Sequence, residues 1–277
     1  MSSDKTKVIE YLFDLHWDEK AGRLKKTTMS LIDVGAAIRA CNAIYEKNLS
    51  DRNPANFLKD IIRSSTANKV WPHRISKLRI TGVQRTGKGD SFEFVPFKAD
   101  QEEAFPDLFR HKPGTRIIDV QTVSIPLASK ALGRKDEAWL VQTAVKLCLI
   151  EVLLATESSL AARQVTHLQM NVKLRSAEID SLYLVDVPGE DLALATCEAK
   201  LEKERLLPDQ IVAQVGATFE STEATMVIPM AMRAVAKVGV HVMQFEPVRR
   251  AEFHNFSELA LAHEVLCRLK PAIKGIC

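Results

Sequence analysis

The sequence predicts an α/β protein in which a mixed β-sheet flanked by helices fills the C-terminal half and a smaller α+β domain precedes it. Three observations predict this. From residue 136 the apolar pattern runs as helix, three strands, helix and two strands. Residues 30–96 read instead as two helical stripes followed by a strongly alternating hairpin. Between the two lies a stretch that Pro96, Pro106, Pro113 and Pro126 interrupt, read as a connector over residues 97–135.

The elements follow in order. Residues 1–30 are short, mixed segments with no clear period. Ser30 then caps a helix whose first turn carries Asp33 and whose apolar stripe is Ile32, Ala36, Ala37, Cys41, Ile44 and Tyr45. Pro54 opens a second helix with Phe57, Leu58, Ile61 and Ile62 inward. Leu78, Ile80 and Val83, a turn over residues 86–90, then Phe92, Phe94 and Val95 form a hairpin. Helix, turn, helix and basic hairpin is the order of a winged-helix DNA-binding module over residues 1–96. Arg63, Lys69, Arg74, Lys77, Arg85 and Lys88 are its expected DNA contacts, with His73 and Arg79 adding to the basic surface. A small packing domain with solvated charges fits the same pattern.

The domain over residues 136–277 opens with one long, mostly buried helix over residues 136–155. Residues 167–175 alternate as a strand, and residues 178–186 and 192–200 are two more, joined by a turn at Gly189. A helix over residues 207–221 has Pro208 in its first turn. Strands over 226–235 and 239–248 follow, and residues 257–269 read as a closing helix.

Composition bounds the function. The 277 residues are 46% hydrophobic and 26% charged, enough apolar mass for a core. The net charge of +3, from 38 basic and 35 acidic residues, excludes a polycation that coats nucleic acid uniformly. Five cysteines with no CxxC pair read as free thiols in a reducing compartment, and argue against structural zinc. The charged N-terminus is no signal peptide. The most apolar run, residues 144–155, is broken by Lys146 and Glu151, so a cytoplasmic protein without a membrane span is expected. No HExxH occurs for a zinc hydrolase and no GxxxxGK[ST] for an ATPase.

One constellation carries chemistry. Glu198 and Lys200 stand two apart on a strand and project to one face, and Asp180 on the neighbouring strand reaches that face. Two carboxylates this close repel unless a cation lies between them, and Mg²⁺ suits oxygen ligands. An exposed Glu198–Lys200 ion pair is the plain alternative. Glu178, on Asp180's face, reads as a solvated strand-start residue.

The stretch EIDSLYLVDVPGEDLALATCEAK resembles the PD-(D/E)XK nuclease superfamily, the restriction-endonuclease-like fold. The resemblance covers residues 136–250, and it lacks the family's proline before the first acid, where Ile179 stands. It implies Asp180 and Glu198 as metal ligands for Mg²⁺, with Mn²⁺ as a possible substitute, and Lys200 as the catalytic lysine. Some relatives place a glutamine on the next helix, which gives Gln210, one turn nearer the strand than Gln214. Others take a metal ligand from the first core helix. Glu151 falls on the apolar stripe of a continuous helix there, while Glu137 reads as a partner of the helix dipole. The implied activity is a metal-dependent endonuclease acting on duplex DNA, foremost a type II restriction enzyme working as a homodimer. A repair or mobile-element nuclease, a nuclease acting on RNA, and a non-catalytic DNA-binding relative remain alternatives.

Overall fold

In a computed structural model that describes residues 3–85, 89–256 and 258–277, the chain divides into two units, Met1–Leu108 and Phe109–Cys277.

The N-terminal unit begins with a helix where the sequence shows no clear element. Helix α1 (Asp4–His16) places Val8, Ile9, Leu12 and Phe13 on one buried face. The short strands β1 (Trp17–Asp18) and β2 (Arg23–Leu24) pair with each other, and β3 (Thr28–Ser30) leads into helix α2 (Leu31–Tyr45). Ser30 and Asp33 form the expected capping box, each side chain accepting from the other's backbone N–H. The buried stripe of α2 is rotated from the expected one. Val34, Ala37, Ile38 and Cys41 are inward, while Ile32, Ile44 and Tyr45 are exposed. The expected second helix is present as a 3₁₀ turn over Pro54–Asn56 running into α3 (Phe57–Ile62), and two further short helices, α4 (Ala67–Val70) and α5 (His73–Lys77), follow where the sequence shows no element. The hairpin is present as β4 (Ile80–Gln84) and β5 (Asp90–Pro96), and β3 completes a three-stranded antiparallel sheet in the order β3-β5-β4. Trp71, Phe13, Phe92 and Phe94 fill the centre, and the buried Trp71 indole donates to the Ile80 carbonyl at 3.1 Å.

The C-terminal unit is built on one mixed sheet. Part of the expected connector belongs to it: β6 (Ile117–Gln121) is an edge strand, followed by helix α6 (Leu127–Leu132). The expected long helix is two helices, α7 (Glu137–Lys146) and α8 (Leu149–Thr156), bent by 56° where Cys148 adopts a left-handed φ of 54°. Strands β7 (Gln164–Lys173), β8 (Glu178–Asp186) and β9 (Ala193–Lys200) are antiparallel neighbours. Helix α9 (Pro208–Ser221) then crosses over to β10 (Met226–Val235), parallel to β9. Strand β11 (Gly239–Phe245) follows, then β12 (Val248–Arg249), which pairs with β10. The expected closing helix is a strand, β13 (Leu261–Lys270), between β11 and β6. Its Leu, Ala and Glu content favours a helix, but pairing on both sides and burial of Val265, Cys267 and Leu269 override that preference. The order across the sheet is β6-β13-β11-β10-β9-β8-β7.

Side chains alternate across this sheet. Tyr183, Val185, Ala195, Cys197, Met230, Met232, Val240 and Val242 pack in one core with α7 and α8. Leu182, Leu194 and Val227 pack from the opposite face against Val215 and Phe219 of α9. Among the described residues no single helix is long and apolar enough to cross a membrane.

Candidate active site

The site lies where β8 and β9 run side by side. Ser181 pairs with Cys197, and the same register carried one residue further sets Asp180 opposite Glu198. Cβ atoms of directly opposed residues in an antiparallel pair lie about 5 Å apart. The Asp180 carboxylate also accepts the backbone N–H of Ala199 at 2.7 Å, tying it to the residue between Glu198 and Lys200.

Burial sets the electrostatics. Glu198 and Lys200 are 4% and 7% exposed. The Lys200 ammonium lies 2.8 Å from Glu198 Oε1 and 2.5 Å from Glu137 Oε1, and donates to the Ala199 carbonyl at 2.9 Å. Burial opposes its charge, but Glu198 and Glu137 outweigh that and raise its pKa. Asp180 is pushed up to about 7, first by burial and then by the charge of Glu198. Three carboxylates thus gather around one ammonium.

The first core helix does bring a carboxylate here, but it is Glu137 and not Glu151. Glu151 shares that face only on an unbroken helix, and the bend at Cys148 removes this premise. Glu151 lies instead by Cys148 and Tyr183, with Oε2 buried and without a hydrogen-bond partner, and burial raises its pKa.

Gln214, rather than Gln210, meets the cluster. It is 1% exposed, and its amide donates to Glu198 Oε2 and, at 2.9 Å, to the Glu178 carbonyl. The geometry of a crossover explains the choice. A helix following a strand runs back along it, and four residues of helix cover about 6 Å. Two residues of strand cover nearly the same, about 6.6 Å. Stepping back from Lys200 to Glu198 therefore matches stepping on from Gln210 to Gln214. Nearness in sequence to the strand end pointed to Gln210, one turn short of the glutamine that reaches Glu198.

Sequence reading also passed over Arg233. It stands opposite Lys200 in the β9–β10 register, is 4% exposed, and donates to the Glu202 carbonyl at 3.0 Å, fixing the chain just after β9.

Among the described residues no group of three or more His, Cys, Asp and Glu side chains is arranged to hold a metal ion. Mg²⁺ asks for less, because it is commonly held by one or two carboxylates and completed by water and phosphate oxygens. Glu198, buried, and Asp180, half-buried opposite it, repel one another and fit that requirement.

In the N-terminal unit the expected DNA contacts divide. Arg74 is paired with Asp14, and Arg85 with Glu93, so each charge already has a local counterion. Lys69 and Lys77 are exposed and Arg63 is half-buried. Lys88 lies outside the described residues. Still, no acidic residue occurs between Asp60 and Asp90, a span holding seven lysines and arginines: Arg63, Lys69, Arg74, Lys77, Arg79, Arg85 and Lys88.

Comparison of the chain with protein-family models, with curated proteins and with solved structures finds no match.

Proposed function

We propose that the C-terminal unit is a Mg²⁺-dependent endodeoxyribonuclease of the PD-(D/E)XK type, and that the chain acts as a type II restriction endonuclease. It cuts duplex DNA as a homodimer, and its N-terminal unit, a winged-helix-like domain, supplies DNA recognition. The observation that carries this reading is the placement of Asp180, Glu198 and Lys200 together at the ends of adjacent strands.

Asp180 and Glu198 would hold the ion. When bound, Mg²⁺ polarises the phosphate and lowers the pKa of an attacking water. Lys200, whose proton is held firmly by two carboxylates, acts as a cation toward charge building on the phosphate rather than as a base. Gln214 fixes the Glu198 carboxylate, and Glu137 fixes the Lys200 ammonium.

The test is incubation of the full chain with plasmid DNA in Mg²⁺ or Mn²⁺, with EDTA as control. Nicking or linearisation that EDTA stops is expected. A folded protein that leaves plasmid intact under all these conditions overturns the reading.

Glu137→Gln probes the positioning role. A hydrogen bond to a charged group contributes about 1.5–3 kcal/mol, so losing one of the two carboxylates that hold Lys200 should lower kcat by about 10–100-fold. The Mg²⁺ concentration giving half-maximal rate should stay put, because Glu137 positions the lysine and does not ligate. A shift in that concentration with kcat unchanged would make Glu137 a metal ligand instead.

A further inference from the structure

Resting on the nuclease reading above, the geometry points to a phosphate-gripping lip of Arg134, Lys135 and Lys274 at the mouth of the site, which takes the duplex backbone beside the scissile bond.

Differences in exposure locate the mouth. The Glu137 side chain is 37% exposed, while those of Lys200 and Glu198 are 8% and 5% exposed. The cluster therefore opens to solvent at Glu137, at the start of α7, with Asp180 also partly exposed. Arg134 and Lys135 are exposed and immediately precede that start, where Asp136 caps the helix by accepting from Trp139 N at 2.8 Å.

Lys274, far away in sequence, is held at the same place. The Trp139 indole donates to the Lys274 carbonyl at 3.0 Å, and the Lys274 ammonium donates to the Ala131 carbonyl at 3.3 Å. Two glycines permit the approach. A Cβ on Gly133 would run into the Lys274 carbonyl, and one on Gly275, at φ +90°, into the Arg134 carbonyl. The two basic segments are thus fixed against each other.

Among the described residues their charges also lack a carboxylate counterion. Elsewhere on this unit Arg116, Arg163, Arg249 and Arg268 are each paired with a carboxylate, while among the described residues Lys146, Lys173, Arg175, Lys203 and Lys237 are not. Among the described residues Arg134, Lys135 and Lys274 have no such partner. The cluster behind them has three carboxylates to one ammonium and repels phosphate. Unpaired cations at its mouth give the polyanion a place to dock, since phosphate neutralisation dominates DNA affinity.

The test compares the full chain with its R134Q/K135Q/K274Q variant and with R134K/K135R, which keeps the charge. Binding of a fluorescein-labelled duplex is measured by anisotropy in EDTA across a salt series, and plasmid nicking is measured in Mg²⁺. The triple variant should lose roughly two to three units from the slope of log affinity against log salt, about 0.9 per phosphate contact. Its KM should rise with kcat retained, and R134K/K135R should behave as the unaltered chain does. An unchanged slope and KM in the triple variant, with the unaltered chain cutting, overturns the lip and leaves the nuclease reading standing. A shallower slope with no cutting by the unaltered chain keeps the DNA lip and removes the nuclease. An unaltered chain that neither binds nor cuts removes both.

Discussion

Lys200→Ala is expected to lower cleavage by about 10²–10³-fold, the range for removing one preorganised group that stabilises transition-state charge. Duplex affinity should change little, because the side chain is 8% exposed and its ammonium is already engaged by Glu198 and Glu137. Its interaction with phosphate is realised as charge builds in the transition state, and such interactions raise kcat rather than ground-state affinity. The substitution has a second consequence. Removing one partner of a buried ion pair leaves charge uncompensated and costs about 3–5 kcal/mol. The metal-free variant should therefore melt at lower temperature than the unaltered chain, so cleavage must be assayed well below that melt. Lys200→Arg should not restore activity, since a planar guanidinium cannot take the place of a compact ammonium between two carboxylates. Parallel loss of binding and cleavage would reduce Lys200 to a phosphate contact. Retained cleavage would remove it from the chemistry.

The strand pair that carries the acids was legible because its signals are local. Alternation in residues 178–186 and 192–200, with a short turn between them, fixes an antiparallel pair and puts Glu198 and Lys200 on one face. What failed depended on tertiary structure. No glycine or proline marks the bend at Cys148, so a helical wheel carried Glu151 onto a face it does not share with Glu137. The choice between Gln210 and Gln214 turned on how far α9 runs back along β9, which the loop over residues 201–207 sets and sequence spacing does not. Strand β13 has a composition suited to a helix and becomes a strand because β11 and β6 both offer it backbone partners. In the N-terminal unit the basic run was visible, but its neutralisation at Arg74 and Arg85 was not, because Asp14 lies 60 residues from Arg74 and Glu93 meets Arg85 only across the hairpin. For the proposed DNA recognition by this unit, Arg63, Lys69 and Lys77 are the residues to neutralise first.

Asp180→Asn should make the metal-free protein more stable while abolishing its response to Mg²⁺. The carboxylate is half-buried opposite Glu198, and its pKa rises from 3.8 to about 7. For an acid whose folded pKa is raised, the folded state binds the proton more tightly than the unfolded chain does. Stability is thus greatest below the unfolded pKa and is lost as pH rises through the folded one. Each tenfold difference in proton affinity between the two states is worth about 1.4 kcal/mol, so ionising Asp180 costs the metal-free fold a few kcal/mol by pH 8. Asparagine keeps an oxygen for the Ala199 N–H and carries no charge, so it avoids that cost. The melting temperatures of the two proteins should nearly coincide at about pH 4 and separate as pH rises toward 8, with the variant higher. Added Mg²⁺ at pH 8 should then raise the melting temperature of the unaltered chain alone, since an ion that binds only the folded state stabilises it by mass action. A variant that melts lower than the unaltered chain at pH 8, or that still responds to Mg²⁺, would show that Asp180 is a structural acceptor for Ala199 and not a ligand.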